Sequence, residues 1–176
     1  MTEAIPKKHN LLDEVNGVAD EINNILNKKQ KSRYFEGIAV LHSFIEDIVK
    51  WLVFVQIVWN KTRKEKPIPT AELKKLKKYC NQLSFNSLLN VGLSIDLLEF
   101  PLFQRLDAMR SERNQIVHQY WLYTYKGKRN ILKKKLEKLA GLANSLVGKL
   151  NQLVEETGMD ESYGLFVIRT GKNLIP

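Results

Sequence analysis

Three side chains that can act on a phosphate group fall within two turns of one predicted helix: Arg113, Asn114 and His118. At about 100° per residue, Asn114 and His118 lie nearly above one another, and the long side chain of Arg113 can reach toward the same space. Histidine titrates near neutral pH, and a guanidinium group binds phosphate and stabilises charge that develops on it. These groups suit cleavage of RNA by its own 2′-hydroxyl, with His118 as general acid or base, Arg113 on the scissile phosphate and Asn114 orienting either one.

A structural interpretation of the same residues is also open. Arg113 interrupts an apolar line along its helix, formed by Leu102, Leu106, Met109, Ile116 and Tyr120. In that interpretation Arg113 pairs with a carboxylate such as Glu112 or Asp107, and His118 is a satisfied boundary histidine. A third interpretation, a purely structural dimer, predicts that Arg113 and His118 are buried in a carboxylate network with no cleft beside them.

The elements that must position these residues are helices. Apolar residues recur at helical spacing along most of the chain, and we expect an all-α fold, an up-and-down bundle of about five helices in one domain over residues 1–176. Residues 163–176 have β-type composition without a partner strand, which predicts a short extended C-terminal arm.

The second predicted helix, from about residue 33 to 60, offers two apolar faces. One is a continuous line from Ile38 to Trp59, and the other contains Phe44, Trp51 and Val58 with Phe54 beside it. A helix in a small bundle needs only one buried face. The extra face therefore packs either against a second subunit or against neighbours of a helix that is central in its own chain.

Local signals predict where several helices begin and end. Thr70 is expected to be the N-cap of the third helix, and Asn130 the N-cap of the last one. Gly92 is expected at the end of a short helix, because a residue without a Cβ suits a helix C-terminus. Pro101 is expected in the first turn of the helix that carries Arg113.

The net charge of +9 predicts a strongly positive surface, which favours nucleic acid, an acidic protein or an anionic membrane as partner. Lysines and arginines concentrate in residues 61–66, 74–78 and 126–138. The lysines of the third helix form either a solvated surface or a phosphate-facing patch. The residues expected to contact nucleic acid are Arg110, Lys126, Lys128, Arg129, Lys133 and Lys134.

Other chemistries find no support in the sequence. The three histidines fall on different elements without metal-ligand spacing, and no phosphate-binding glycine loop is present, so we expect neither a metal nor a cofactor. The single cysteine, Cys80, favours a reducing compartment, and no signal peptide precedes the first helix, so the cytoplasm is expected. Glu46, Asp47 and Lys50 interrupt the longest apolar run, which argues against a membrane span.

The segment Arg113-Asn114-Gln115-Ile116-Val117-His118-Gln119-Tyr120 resembles the Arg-x4-6-His motif of the HEPN superfamily, and the similarity extends over residues 85–120. The resemblance implies a small helical bundle that dimerises and brings two motifs into one cleft. It implies a metal-independent endoribonuclease, often a toxin of a toxin–antitoxin or phage-defence system that is paired with an antitoxin protein. Other members of that superfamily are inactive modules that bind RNA, nucleotides or proteins, and this alternative stays open.

Tyr120 is a candidate for modification, because one branch of the superfamily carries a tyrosine two residues after the histidine that a partner enzyme modifies with AMP. Tyr120 also fits the apolar line of its helix as a core or interface aromatic, which is the interpretation we favour.

Overall fold

The computed structural model describes residues 11–63, 68–118, 123 and 129–158. Six α-helices account for most of them: α1 (Leu11–Asn27), α2 (Tyr34–Thr62), α3 (Thr70–Gln82), α4 (Phe85–Ser94), α5 (Phe100–His118) and α6 (Arg129–Thr157). A 3-10 turn at Lys31–Arg33 precedes α2. Because these ranges contain no strand, the predicted all-α class is confirmed, with one helix more than the five expected. The extended arm predicted for residues 163–176 lies outside the described residues.

Helix α2 is the centre of the fold. It packs most extensively against α6 and also contacts α1, α3, α4 and α5. Both of its apolar faces are covered within the chain: Ile45 and Val58 are fully buried, Phe54 is 3% exposed, and Trp51 is half-buried. The interpretation that α2 is central in its own chain is therefore the one that the structure supports.

The contact between α2 and α6 is close at Gly37, where a larger residue would press on side chains of two other helices. A Cβ added at Gly37 would lie 3.0 Å from Leu136 Cδ1 of α6 and 3.2 Å from Ile25 Cδ1 of α1. Gly37 thus lets three helices approach at one point, next to the residue that begins the buried line of α2, Ile38.

Helices α1 and α4 end in the same way. Lys29 and Asp96 adopt positive φ values of 49° and 56°, and each is followed by an amide that bonds back five residues, Gln30 to Ile25 and Leu97 to Gly92. This pattern is a Schellman motif, in which a left-handed residue closes the helix. The prediction for Gly92 is wrong, because Asp96 takes the left-handed position.

Gly92 has a packing role instead. A Cβ at this position would lie 2.8 Å from Leu98 Cδ1 and 2.9 Å from Leu98 Cγ, so the glycine lets the turn before α5 fold back onto α4. Leu98 is 2% exposed and belongs to the core. This turn fixes where α5 begins and hence where the Arg113 segment lies.

Two predicted N-caps are also corrected. Helix α3 begins at Thr70 itself, and the carbonyl of Pro69 accepts the amides of Glu72 and Leu73, at 2.9 and 3.1 Å. The preceding proline already holds extended backbone angles, so it takes the cap position without a side-chain hydrogen bond. Helix α6 begins at Arg129, which places Asn130 inside the helix.

Pro101 lies in the first turn of α5, as predicted. Leu106, Met109 and Ile116 of its apolar line are buried. No helix in the described ranges is long and apolar enough to cross a membrane.

Candidate functional site

The three predicted catalytic residues lie in the C-terminal half of α5, and all three are exposed. Asn114 and His118 are four residues apart, so their side chains are neighbours on the helix surface. Arg113 has a side-chain exposure of 55%, although Met109 and Ile116, which flank it in the apolar line, are 5% and 2% exposed. The guanidinium therefore leaves the buried stripe and reaches solvent.

Neither carboxylate named in the structural interpretation pairs with Arg113. Arg110 Nε donates to Asp107 Oδ1 at 2.9 Å, and Lys135 Nζ lies 3.4 Å from Glu112 Oε1. Asp107 is thus held on its own helix, whereas Glu112 ties α5 to α6. The exposure of Arg113 and His118 contradicts the buried carboxylate network that a purely structural dimer predicts.

Arg113 approaches a carboxylate that sequence reasoning did not assign to it. Its Nη1 atom lies 3.9 Å from Glu46 Oε2 on α2, at the outer limit of an ion pair. The same carboxylate pairs with Lys50 at 3.3 Å, and Lys50 also donates to Asp47 at 2.9 Å. Burial lowers the pKa of the Lys50 ammonium, but its bonds to Asp47 and Glu46 outweigh this, so the pKa is raised and Lys50 remains charged.

His42 is the functional candidate that the sequence analysis missed. It lies one turn before Glu46 on α2, is 2% exposed, and neither ring nitrogen has a hydrogen-bond partner. The pKa of its imidazole is lowered from 6.5 to about 4, mainly by burial; the positive charges of Arg113 and Lys135 also lower it, and the negative charge of Glu112 raises it. At neutral pH the ring is therefore uncharged and lies within the electrostatic influence of Arg113, Glu112 and Lys135.

The signal that could have identified His42 is its place in α2. It follows Leu41 directly and lies three residues before Ile45, both fully buried, so a polar ring had to enter the core or its margin. Buried polar groups without partners are rare and cost stability, which makes such a ring notable.

The predicted nucleic-acid contacts are only partly within the described residues. Lys134 is exposed, Lys133 pairs with Glu137 at 3.2 Å, and Arg110 pairs with Asp107 as above. Arg129 is the first residue of α6, but its side chain is outside the description, as are Lys126, Lys128 and Tyr120. Lys133, Lys134 and Lys135 crowd the first turns of α6, close to the helix that carries the motif.

A groove of about 200 Å³ separates α2 from α3. Its lining combines two aromatic rings, two ammonium groups, a carboxylate, an amide and a thiol: Asp47, Lys50, Trp51, Phe54, Lys77, Cys80 and Asn81. The ammonium of Lys77 lies 4.1 Å from the centroid of the Trp51 ring, within the range of a cation–π contact. Burial raises the pKa of the Cys80 thiol, so this cysteine is a neutral wall of the groove.

No group of three or more histidine, cysteine or acidic side chains in the described part of the chain is arranged to hold a metal ion. Comparisons of the sequence with protein-family models and curated proteins, and of the structure with solved structures, gave no match.

Proposed function

We propose that this chain is a metal-independent endoribonuclease of the HEPN type, a single helical-bundle domain that acts as a homodimer. The observation that supports this best is the common exposure of Arg113, Asn114 and His118 on one half of α5. A histidine beside a guanidinium that leaves its apolar stripe can meet a phosphate from solvent. If the same residues were buried in an ion-pair network, they could not contact a phosphate that approaches from solvent.

The reaction that fits these groups is transesterification within RNA. His118 of one subunit takes the proton of the 2′-hydroxyl, and the 2′-oxygen forms a bond to phosphorus. The bond from phosphorus to the 5′-oxygen breaks, and this oxygen receives a proton from an acid. Arg113 donates hydrogen bonds to the non-bridging oxygens, where negative charge grows. The products are a 2′,3′-cyclic phosphate and a 5′-hydroxyl.

One imidazole cannot act as base and acid within a single step, which is why we propose a dimer. His118 of the second copy supplies the acid when two motifs share a cleft. Val117, directly before His118, is 56% exposed and offers an apolar contact beside the site. We propose that Asn114, one turn earlier on the helix, orients either the imidazole or the phosphate by a hydrogen bond.

Positive charge attracts the substrate without reading its sequence. The chain carries a net charge of +9, and Lys133, Lys134 and Arg110 lie on the helices that meet at the motif. Contacts of this kind release counterions and make affinity fall with salt. We include Lys126, Lys128 and Arg129 in the same RNA-binding surface.

An RNase of this kind damages the cell that makes it, so we propose that it acts in the cytoplasm as a toxin or a phage-defence effector under the control of an antitoxin protein. The buried, unpaired thiol of Cys80 suits a reducing compartment.

Cleavage of an end-labelled RNA by the purified chain in excess chelator tests the proposal. We expect cyclic-phosphate ends, and no cut at a position where a single 2′-deoxynucleotide replaces the ribonucleotide. If the chain retards RNA in a gel but leaves it intact with and without chelator, it is a catalytically inactive HEPN-like module that binds RNA, nucleotide or protein.

A further inference from the structure

The groove between α2 and α3 has a size that suits one flat ring. Sites that enclose a whole small molecule have volumes of roughly 300–1,000 Å³, whereas this groove measures about 200 Å³. Its floor is formed by the buried Cys80 and Phe54, and its rim by exposed polar residues of α3. A ligand therefore enters with one ring and leaves its polar remainder at the rim.

Trp51 is held in place to receive such a ring. Its indole packs edge-on against Phe54, with ring centroids 5.9 Å apart and an interplanar angle of 80°. The ammonium of Lys77 covers its face at 4.1 Å. The tryptophan is thus packed against the core through Phe54, and the Lys77 ammonium covers its ring.

Two ion pairs that share the Glu46 carboxylate link the groove to the proposed cleavage site. Lys50 lines the groove and pairs with Glu46, and the same carboxylate lies 3.9 Å from Arg113. One carboxylate group therefore separates a groove cation from the arginine of the motif. An ammonium group has three N–H donors, so Lys50 can hold both of its carboxylates and still donate to a phosphate.

From this arrangement we infer that the groove is a binding subsite for one nucleotide of single-stranded RNA, whose base stacks on Trp51. Asn81 bonds to the edge of the base, and Lys50 and Lys77 contact the adjoining phosphates. The identity of the ligand as RNA rests on the proposed function; the preference for a ligand with a flat ring rests on the groove itself. The subsite places the neighbouring phosphates of the strand toward Arg113.

Stacking of the base requires the Lys77 ammonium to leave the face of the Trp51 ring. A cation over an exposed aromatic ring contributes about two- to fivefold to an equilibrium constant, whereas a base on an aromatic side chain contributes about five- to 150-fold. The released ammonium then lies beside the base, where the phosphate of the same nucleotide must be.

The test uses a fluorescent 2′-O-methyl oligoadenylate, which cannot be cleaved through its 2′-oxygen, and measures its Kd by anisotropy. W51L should weaken binding about tenfold, and W51F should keep most of the affinity because it retains a ring. The matched control is W59L on the same helix, since Trp59 lies beneath Arg63 and outside the groove lining. Circular dichroism and the unfolding temperature establish that each variant is folded.

Substitutions of exposed residues on α3 test the subsite independently of Trp51. K77E and N81A should each weaken binding, and K77E should do so more than K75E, which makes the same charge change on the opposite face of the helix. Equal effects of K77E and K75E, equal effects of W51L and W59L, or no binding by the wild-type chain would each overturn the subsite. Because the probe cannot be cut, absence of RNase activity does not affect this result. An active RNase whose groove variants bind normally keeps the proposed function and loses the subsite.

Discussion

Arg113 Nη1 on α5 lies 3.9 Å from Glu46 Oε2 on α2, and this is the contact that joins the motif to the central helix. Exposed ion pairs contribute only about 0–1 kcal/mol, and this one is long. Arg113 can therefore exchange the carboxylate for a phosphate at small cost. Glu46 both orients the guanidinium and competes with the substrate for it.

Replacing Glu46 by glutamine should tighten RNA binding. The variant removes one negative charge beside Arg113 and Lys50, so the Kd for the uncleavable oligonucleotide should fall about two- to fivefold at low salt. The difference should shrink as salt is added. E156Q makes the same charge change near the far end of α6 and should alter the Kd less. Weaker binding by E46Q than by E156Q would show that Glu46 serves mainly to position its cations.

Replacing Arg113 should lower the rate of RNA cleavage and change the stability of the fold little. R113Q should lower the cleavage rate by about 100-fold or more, because the neutral amide lacks the positive charge and the planar guanidinium fork that stabilise the charge growing on the phosphate. R113K should recover part of the rate, since lysine keeps the charge but lacks the planar fork. Single-turnover rates measure both. R110Q, one turn earlier, is the matched control, and an equal loss there would mean that only overall charge matters.

Because of His42, the free energy of unfolding should fall as the solution becomes acidic. Its folded-state pKa of about 4 lies below the ordinary value of 6.5, so folding favours the neutral ring. The associated stability is complete above pH 6.5 and is lost as the pH falls toward 4, by about 3 kcal/mol in all. Urea unfolding of wild type and H42L at pH 7 and pH 4.5 measures this, and H42L should lose less stability between the two. Equal losses would mean that His42 is not held neutral.

Two glycine substitutions should change the free energy of unfolding in opposite directions. G92A places a methyl group 2.9 Å from Leu98 Cγ and should lower the free energy of unfolding by about 1–3 kcal/mol. G148A, on the exposed side of α6, meets no atom within 4 Å and should raise it by about 0.5–1 kcal/mol through helix propensity. Urea titrations compare the two. A neutral G92A would mean that the turn before α5 yields easily.

The pattern of apolar residues predicted the helices well, because the spacing of apolar residues along a helix is a local property of the sequence. The line from Ile38 onward identified α2, and Leu106, Met109 and Ile116 identified the buried side of α5. Which partner covers the second face of α2 is a tertiary property. The sequence left that choice open, and packing against α3 and α4 within the chain decided it.

Helix ends and the polar surroundings of the site were harder to predict. Gly92 suggested a helix end, but the glycine serves the close approach of Leu98, which only the fold brings near. The structural interpretation named Glu112 and Asp107 as examples of a partner for Arg113, whereas the carboxylate that Arg113 approaches is Glu46, far away in sequence. His42 could not be identified from the sequence as part of the site, because its burial near Arg113 depends on how α2 and α5 pack.

The most direct test of the proposed function is RNA cleavage in the presence of chelator by the wild-type chain, H118A and Q115A. Gln115 is exposed on the same turns of α5 and makes a matched control. We expect wild type and Q115A to cut RNA at similar rates, and H118A to be folded, to bind the uncleavable oligonucleotide and to leave RNA intact. Cleavage by H118A at the wild-type rate would contradict the catalytic role of the motif.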